Sequence, residues 1–103
     1  MHNLLKKSLI VITSLCLLNI ASAQLHGKVI EQVNIKSNIL GKNVAYTVYL
    51  PSDYSTSERS YPVVYLLHGY TDDNTGWLQF GEINRYADKA IADGTIPPMI
   101  IIM

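Results

Sequence analysis

Residues 61–70 read Tyr-Pro-Val-Val-Tyr-Leu-Leu-His-Gly-Tyr. The run from Val63 to Leu67 is apolar and stops abruptly at His68-Gly69, the pattern of a strand buried on both faces of a sheet. Gly69 allows a sharp turn and a close approach of the backbone to a reacting group. Acyl transfer to a serine needs an activated nucleophile, a base, and N–H donors aimed at the tetrahedral oxyanion. The chain offers one candidate donor, the backbone N–H of Tyr70 just past the turn, with His68 and Gly69 supporting it; the alternative is an ordinary strand-end turn, where glycine is common for backbone reasons. It does not offer the nucleophile, because no Gly-x-Ser-x-Gly occurs anywhere in the sequence.

Other reactive types lie near this turn. Asp72 and Asp73 invite comparison with a calcium loop, but they lack the alternating acidic spacing such a loop requires. They read instead as residues that start or cap local turns. Trp77 either lines an acyl pocket beside the turn or fills apolar space between the turn and the following helix. His26 stands far from His68, and no cysteine accompanies them, so no metal site is expected. No cofactor is expected either.

These residues need a scaffold, and the hydropathy pattern supplies one. Val33 and Ile35 alternate with Gln32, Asn34 and Lys36, the period of a half-buried strand. Asn38 and Gly41 mark a turn. Val44, Tyr46, Val48 and Leu50 alternate with Ala45, Thr47 and Tyr49, so the two strands form an antiparallel pair. Pro51 ends the second strand, and residues 52–60 are a polar surface loop. After the strand from Tyr61, the positions Ile83, Tyr86, Ala87, Ala90 and Ile91 form one apolar helical face. Glu82 suits its N-terminus and Lys89 its last turn. Asp93 does not suit that end, and Gly94 is placed as the C′ residue. Pro97-Pro98 stops the helix, and a last strand begins near Met99. The order is strand, strand, strand, helix, strand. It predicts an α/β fold: a mostly parallel sheet with antiparallel N-terminal edge strands.

The first 23 residues have a different character. Lys6 and Lys7 precede an apolar stretch, Ser8 to Leu18, and Ala21-Ser22-Ala23 fits a small-x-small cleavage rule. The sequence therefore predicts a signal peptide over 1–23, a mature start at Gln24, and a secreted or periplasmic product. The stretch is short of the roughly 20 residues a membrane span needs, so no stable membrane anchor is expected. Cys16 raises a lipoprotein alternative, disfavoured because Leu15 stands where a small residue belongs. Removing 1–23 leaves 80 of the 103 residues, with six basic and eight acidic side chains and no cysteine. No basic patch suggests nucleic acid. The chain ends on the apolar run Met99-Ile-Ile-Ile-Met103, which predicts that 24–103 is the N-terminal part of a longer polypeptide.

Taken together, 61–69, Trp77, Ala-Asp-Lys-Ala-Ile-Ala at 87–92 and Pro-Pro-Met-Ile-Ile-Ile at 97–102 resemble an esterase family of α/β hydrolases. That family includes feruloyl and acetyl xylan esterases, S-formylglutathione hydrolases and mycobacterial mycolyltransferases. The segment Gly41 to Pro51, with Tyr-Thr-Val-Tyr-Leu-Pro at 46–51, resembles the edge strands that precede the oxyanion strand there. The resemblance implies an α/β-hydrolase fold, here truncated, and a Ser–Asp/Glu–His triad. It places one oxyanion N–H on the residue after His-Gly, which is Tyr70. The triad positions all fall beyond Met103. His68 is not the base, because the triad histidine of this fold comes last in chain order. The resemblance implies a secreted serine esterase acting on feruloyl or acetyl esters of plant polysaccharide such as xylan. An acyltransferase of the same fold, or a non-catalytic secreted binding module, are the alternatives.

Overall fold

The computed structural model describes residues 25–103, so the cleavage segment 1–23, its Cys16 and Gln24 lie outside the described residues. Four strands form one sheet: β1 (Lys28–Ser37), β2 (Lys42–Leu50), β3 (Val63–Tyr65) and β4 (Ile100–Ile102). Two helices, α1 (Gly76–Gln79) and α2 (Ile83–Ala92), lie between β3 and β4. The spatial order is β1-β2-β4-β3, so the chain leaves β3 at one edge and returns as β4 between β2 and β3.

The expected hairpin is present. β1 and β2 pair antiparallel, with Ser37 opposite Lys42, and Gly41 turns at φ +64. A left-handed turn position is where glycine costs least. The register shifts between Ile30 and Val33, where Gln32 adopts φ 59. Such a bulge bends and twists an edge strand.

The βαβ unit is also present: β3 and β4 pair in parallel, with Val64 opposite Ile101. β4 pairs antiparallel with β2. Two of the three pairings are thus antiparallel, and the sheet over these residues is mixed rather than mostly parallel.

Burial falls elsewhere than the hydropathy suggested. The apolar run predicts a β3 buried on both faces, yet Val63 is 46% and Tyr65 73% exposed. The reason is position: β3 is the outermost strand, with β4 as its sole neighbour among the described residues. The covered strands are the inner two. Thr47, Val48 and Tyr49 are consecutive and all buried, so both faces of β2 are shielded.

α2 packs on one face of this sheet. Its Ala87 joins Tyr49, Ile101 and Met103 in the buried core, with Ile83 and Ile91 packed against them. The contacting stripe is i, i+4, i+8, narrower than the face read from sequence. Tyr86 departs from that reading, being 64% exposed.

The helix ends carry their own chemistry. Gly94 has φ +72, and its N–H reaches the Ile91 carbonyl while the Thr95 N–H reaches Ala90. These paired bonds are the Schellman arrangement that satisfies otherwise orphaned carbonyls. Asp93, unsuited to the helix dipole, is neutralised by Lys89 at 2.6 Å, and that hydrogen bond raises the Lys89 pKa. Glu82 makes no side-chain cap. It pairs instead with Arg85 at 2.6 Å.

Candidate active site

The last sheet bond of the β3 segment runs from the Leu66 N–H to the Ile102 carbonyl, 2.8 Å. The chain then leaves the sheet, and the Leu67 and Gly69 carbonyls each find a specific partner. The Trp77 indole N–H donates to the Leu67 carbonyl at 3.0 Å. The Gly69 carbonyl lies 2.8 Å from His68 Nδ1 and accepts the Asp72 N–H at 3.2 Å. A carbonyl accepts only, so the contact assigns a proton to Nδ1. His68 is therefore bonded to the turn, as a turn support would be.

Those two donors also orient the neighbouring amide. The Gly69 carbonyl and the Tyr70 N–H belong to one planar trans peptide and point in opposite directions. Holding the carbonyl inward therefore turns the Tyr70 N–H away from the loop. That N–H has no acceptor among the described residues. The Tyr70 side chain is fully exposed.

The loop that follows is fixed by its own polar groups. Asp73 Oδ1 accepts the Thr75 hydroxyl at 2.6 Å and the Thr75 N–H at 2.8 Å. These bonds hold the Asp73 carboxyl below the usual carboxylate range, the hydroxyl contributing most. Asp72 Oδ1 accepts the Asp73 N–H at 2.9 Å. Both aspartates thus serve local turns, and no group of three metal-ligating side chains occurs among the described residues. Asn74 Nδ2 donates to Oγ1 of the buried Thr47 at 2.9 Å, tying the loop to β2. A Cβ on Gly76 would collide with the Asp72 carboxylate, so glycine is what allows that carboxylate to lie over the start of α1.

An open hollow of about 280 Å³ lies beside the turn, lined by Gly69, Asp72, Gly76, Trp77, Phe80 and Gly81. Four residues singled out by sequence, His68, Gly69, Tyr70 and Trp77, thus come together in one loop and its helix. Phe80 was not among them. Its one visible signal is its spacing of three from Trp77, which places both on one side of a short helix.

His26 belongs to a different cluster, centred on Asp88, which sequence reasoning also missed. Asp88 Oδ1 accepts the Tyr49 hydroxyl and the Gly27 N–H, both at 2.8 Å, and Oδ2 lies 3.1 Å from His26 Nδ1. The Asp88 side chain is 9% exposed and Tyr49 is 1% exposed. Burial, then the bond to Asp88 and its charge, push the Tyr49 phenol above its ordinary pKa. The phenol is thereby kept as a donor. This carboxylate joins three parts of the chain, the segment 26–27, β2 and α2, and none of its partners lines the hollow.

A family profile described as "Putative esterase" matches residues 37–103. Over 82 residues the chain is 39% identical to an endo-1,4-beta-xylanase/feruloyl esterase of Xylanibacter ruminicola, covering 76% of this chain and 11% of that protein. Over 69 residues it is 50% identical to an esterase of Mycobacterium tuberculosis, covering 66% of this chain and 14% of that one. Among solved structures, a ferulic acid esterase superposes with TM-score 0.71 at 35% identity, over 77% of this chain and 30% of the other. A mutant feruloyl esterase module from Clostridium thermocellum, complexed with sinapinate, gives TM-score 0.65 at 21% identity, over 76% of this chain and 26% of the other. At that identity the likeness concerns the fold alone. The chain spans less than a third of the length of each of these relatives.

Proposed function

The chain belongs to the putative esterase family, and from that membership we propose that it is the N-terminal part of a secreted serine esterase. Its substrates are feruloyl or acetyl esters of plant polysaccharide such as xylan. The reading of the substrate rests on similarity to the xylanase/feruloyl esterase and the ferulic acid esterase.

The observation that carries the mechanism is the orientation of the Tyr70 peptide. The Gly69 carbonyl of that peptide is occupied by His68 and Asp72, and its N–H is left without an acceptor among the described residues. In this proposal a serine beyond residue 103 attacks the ester carbonyl, with a histidine as base and an acidic residue orienting it. As the tetrahedral intermediate forms, the Tyr70 N–H receives the developing oxyanion without having to reorient. Trp77 and Phe80 border the hollow where an aromatic acyl group would lie. Further strands of an α/β-hydrolase sheet add to the free edge of β3, which explains an apolar strand that is exposed here.

Two experiments test this. The complete polypeptide should release ferulate from methyl ferulate, and stoichiometric labelling by a serine-directed phosphonate should abolish turnover. Turnover that survives full labelling would refute the serine mechanism. Exported protein should begin at Gln24 by N-terminal sequencing, and a retained Met1 or a lipid on Cys16 would refute the processing.

A further inference from the structure

Trp77 does more in this geometry than border a hollow. A backbone oxyanion donor is useful only if its peptide is fixed before charge develops. The turn after β3 is held at its start by the Leu66–Ile102 bond and at its far end by the bonds to the Gly69 carbonyl. Between them lies the Leu67 carbonyl, whose only hydrogen-bond partner among the described residues is the Trp77 indole N–H, 3.0 Å away.

That indole is itself anchored. It stands in the first turn of α1, whose leading residues are tied down by Asp73–Thr75 and by the Asn74 bond to buried Thr47. The chain of contacts therefore runs from β2 through Asn74 and α1 to Trp77, and from its N–H to the peptide entering His68-Gly69-Tyr70. Trp77 is 39% exposed, so water could satisfy its N–H, yet the ring directs that single polar atom at this carbonyl.

We propose that Trp77 is a positioning residue for the oxyanion turn, acting through its indole N–H on the Leu67 carbonyl. This inference rests on the assignment of Tyr70 as the oxyanion donor. It assigns the N–H a role separate from any contact between the ring and the acyl group.

The test compares two replacements in the complete polypeptide. Trp77→Phe removes the N–H and part of the ring. Incorporating 3-benzothienylalanine at position 77 keeps the bicyclic shape and removes the N–H alone, so it remains decisive if Trp77→Phe folds poorly. Each should lower kcat about 10- to 100-fold, the scale of a misplacement near 1 Å, with KM changed little. Affinity for a trifluoromethyl ketone, which forms an oxyanion adduct, should fall in parallel, while affinity for the product ferulate stays the same. A merely structural role would not produce that split between adduct and product. Three outcomes would overturn the proposal. If the benzothienyl protein keeps full kcat and adduct affinity while Tyr70→Pro loses both, Trp77 does not position the turn, and the Tyr70 assignment stands. If Tyr70→Pro also keeps both, the assignment beneath it fails as well. A raised KM with unchanged kcat would place the N–H on the acyl group and equally overturn it.

Discussion

Replacing Tyr70 by proline in the complete polypeptide should lower kcat by about 100- to 1000-fold, the range for loss of one oxyanion donor. Proline removes the backbone N–H and nothing else of comparable chemical use. The residue is exposed, so its ring contributes little packing that a substitution could destroy. Its preceding carbonyl would still accept from His68 and from Asp72. The loss should therefore appear in kcat and in kcat/KM to the same extent, because the donor contacts only charge that develops in the transition state. Tyr70→Leu, which keeps the N–H and changes the ring, should cost far less. Proline also restricts the residue before it, here Gly69, the residue type most tolerant of such restriction. Circular dichroism and thermal unfolding of both variants check that the turn survives. A folded Tyr70→Pro protein with near-native kcat would show that the His-Gly turn is only a strand end.

How much of this was legible in the sequence depended on how many residues carried each signal. The hairpin was readable because alternation repeats over both strands and Gly41 marks the turn with a left-handed conformation. α2 was readable because its apolar stripe recurs at Ile83, Ala87 and Ile91 and Gly94 closes it. α1 was not, because four residues contain no period to detect. The burial of β3 was misjudged for a different reason. An apolar run records the environment a segment is suited to, and the environment is set by its neighbours. Here the inner positions went to β2 and β4. At the candidate site, the turn and its two flanking residues were found from local types. The polar bonds that orient it were not, since Asn74–Thr47 joins residues 27 apart, and no local pattern announces a side-chain amide meeting a hydroxyl. Asp88 escaped notice because one polar residue beside Ala87 looks like the edge of a solvated face. Its partners come from 39 and 61 residues earlier in the chain.

That hidden carboxylate should govern stability. Asp88→Ala leaves the buried Tyr49 hydroxyl and the Gly27 N–H without their acceptor, each orphan costing about 1–3 kcal/mol. The summed loss should be roughly 3 kcal/mol, because residues 26–27 can peel away and let water reach part of the site. Asp88→Asn should lose less, as one amide oxygen still accepts while the charge is gone. Tyr49→Phe removes only the phenol and leaves the Gly27 bond in place. The two sites share a bond, so the Asp88→Ala/Tyr49→Phe double variant should be less destabilised than the sum of the singles. Urea unfolding of the four proteins measures this directly, and strict additivity would show that the bond contributes nothing. An alkaline titration gives an independent reading. The folded-state pKa of Tyr49 is raised, so its contribution is fully present below the ordinary tyrosine value, near 10. It is lost as pH rises from there toward the folded-state pKa, because the unfolded chain releases the phenolic proton first. Stability should therefore fall above about pH 10 more steeply in the native protein than in Tyr49→Phe. Equal slopes would mean that the phenol is neither buried nor held by Asp88 in solution. Residues 26–27 would then have to rest on packing alone, on Gly27 lying against the Tyr49 ring where no Cβ fits.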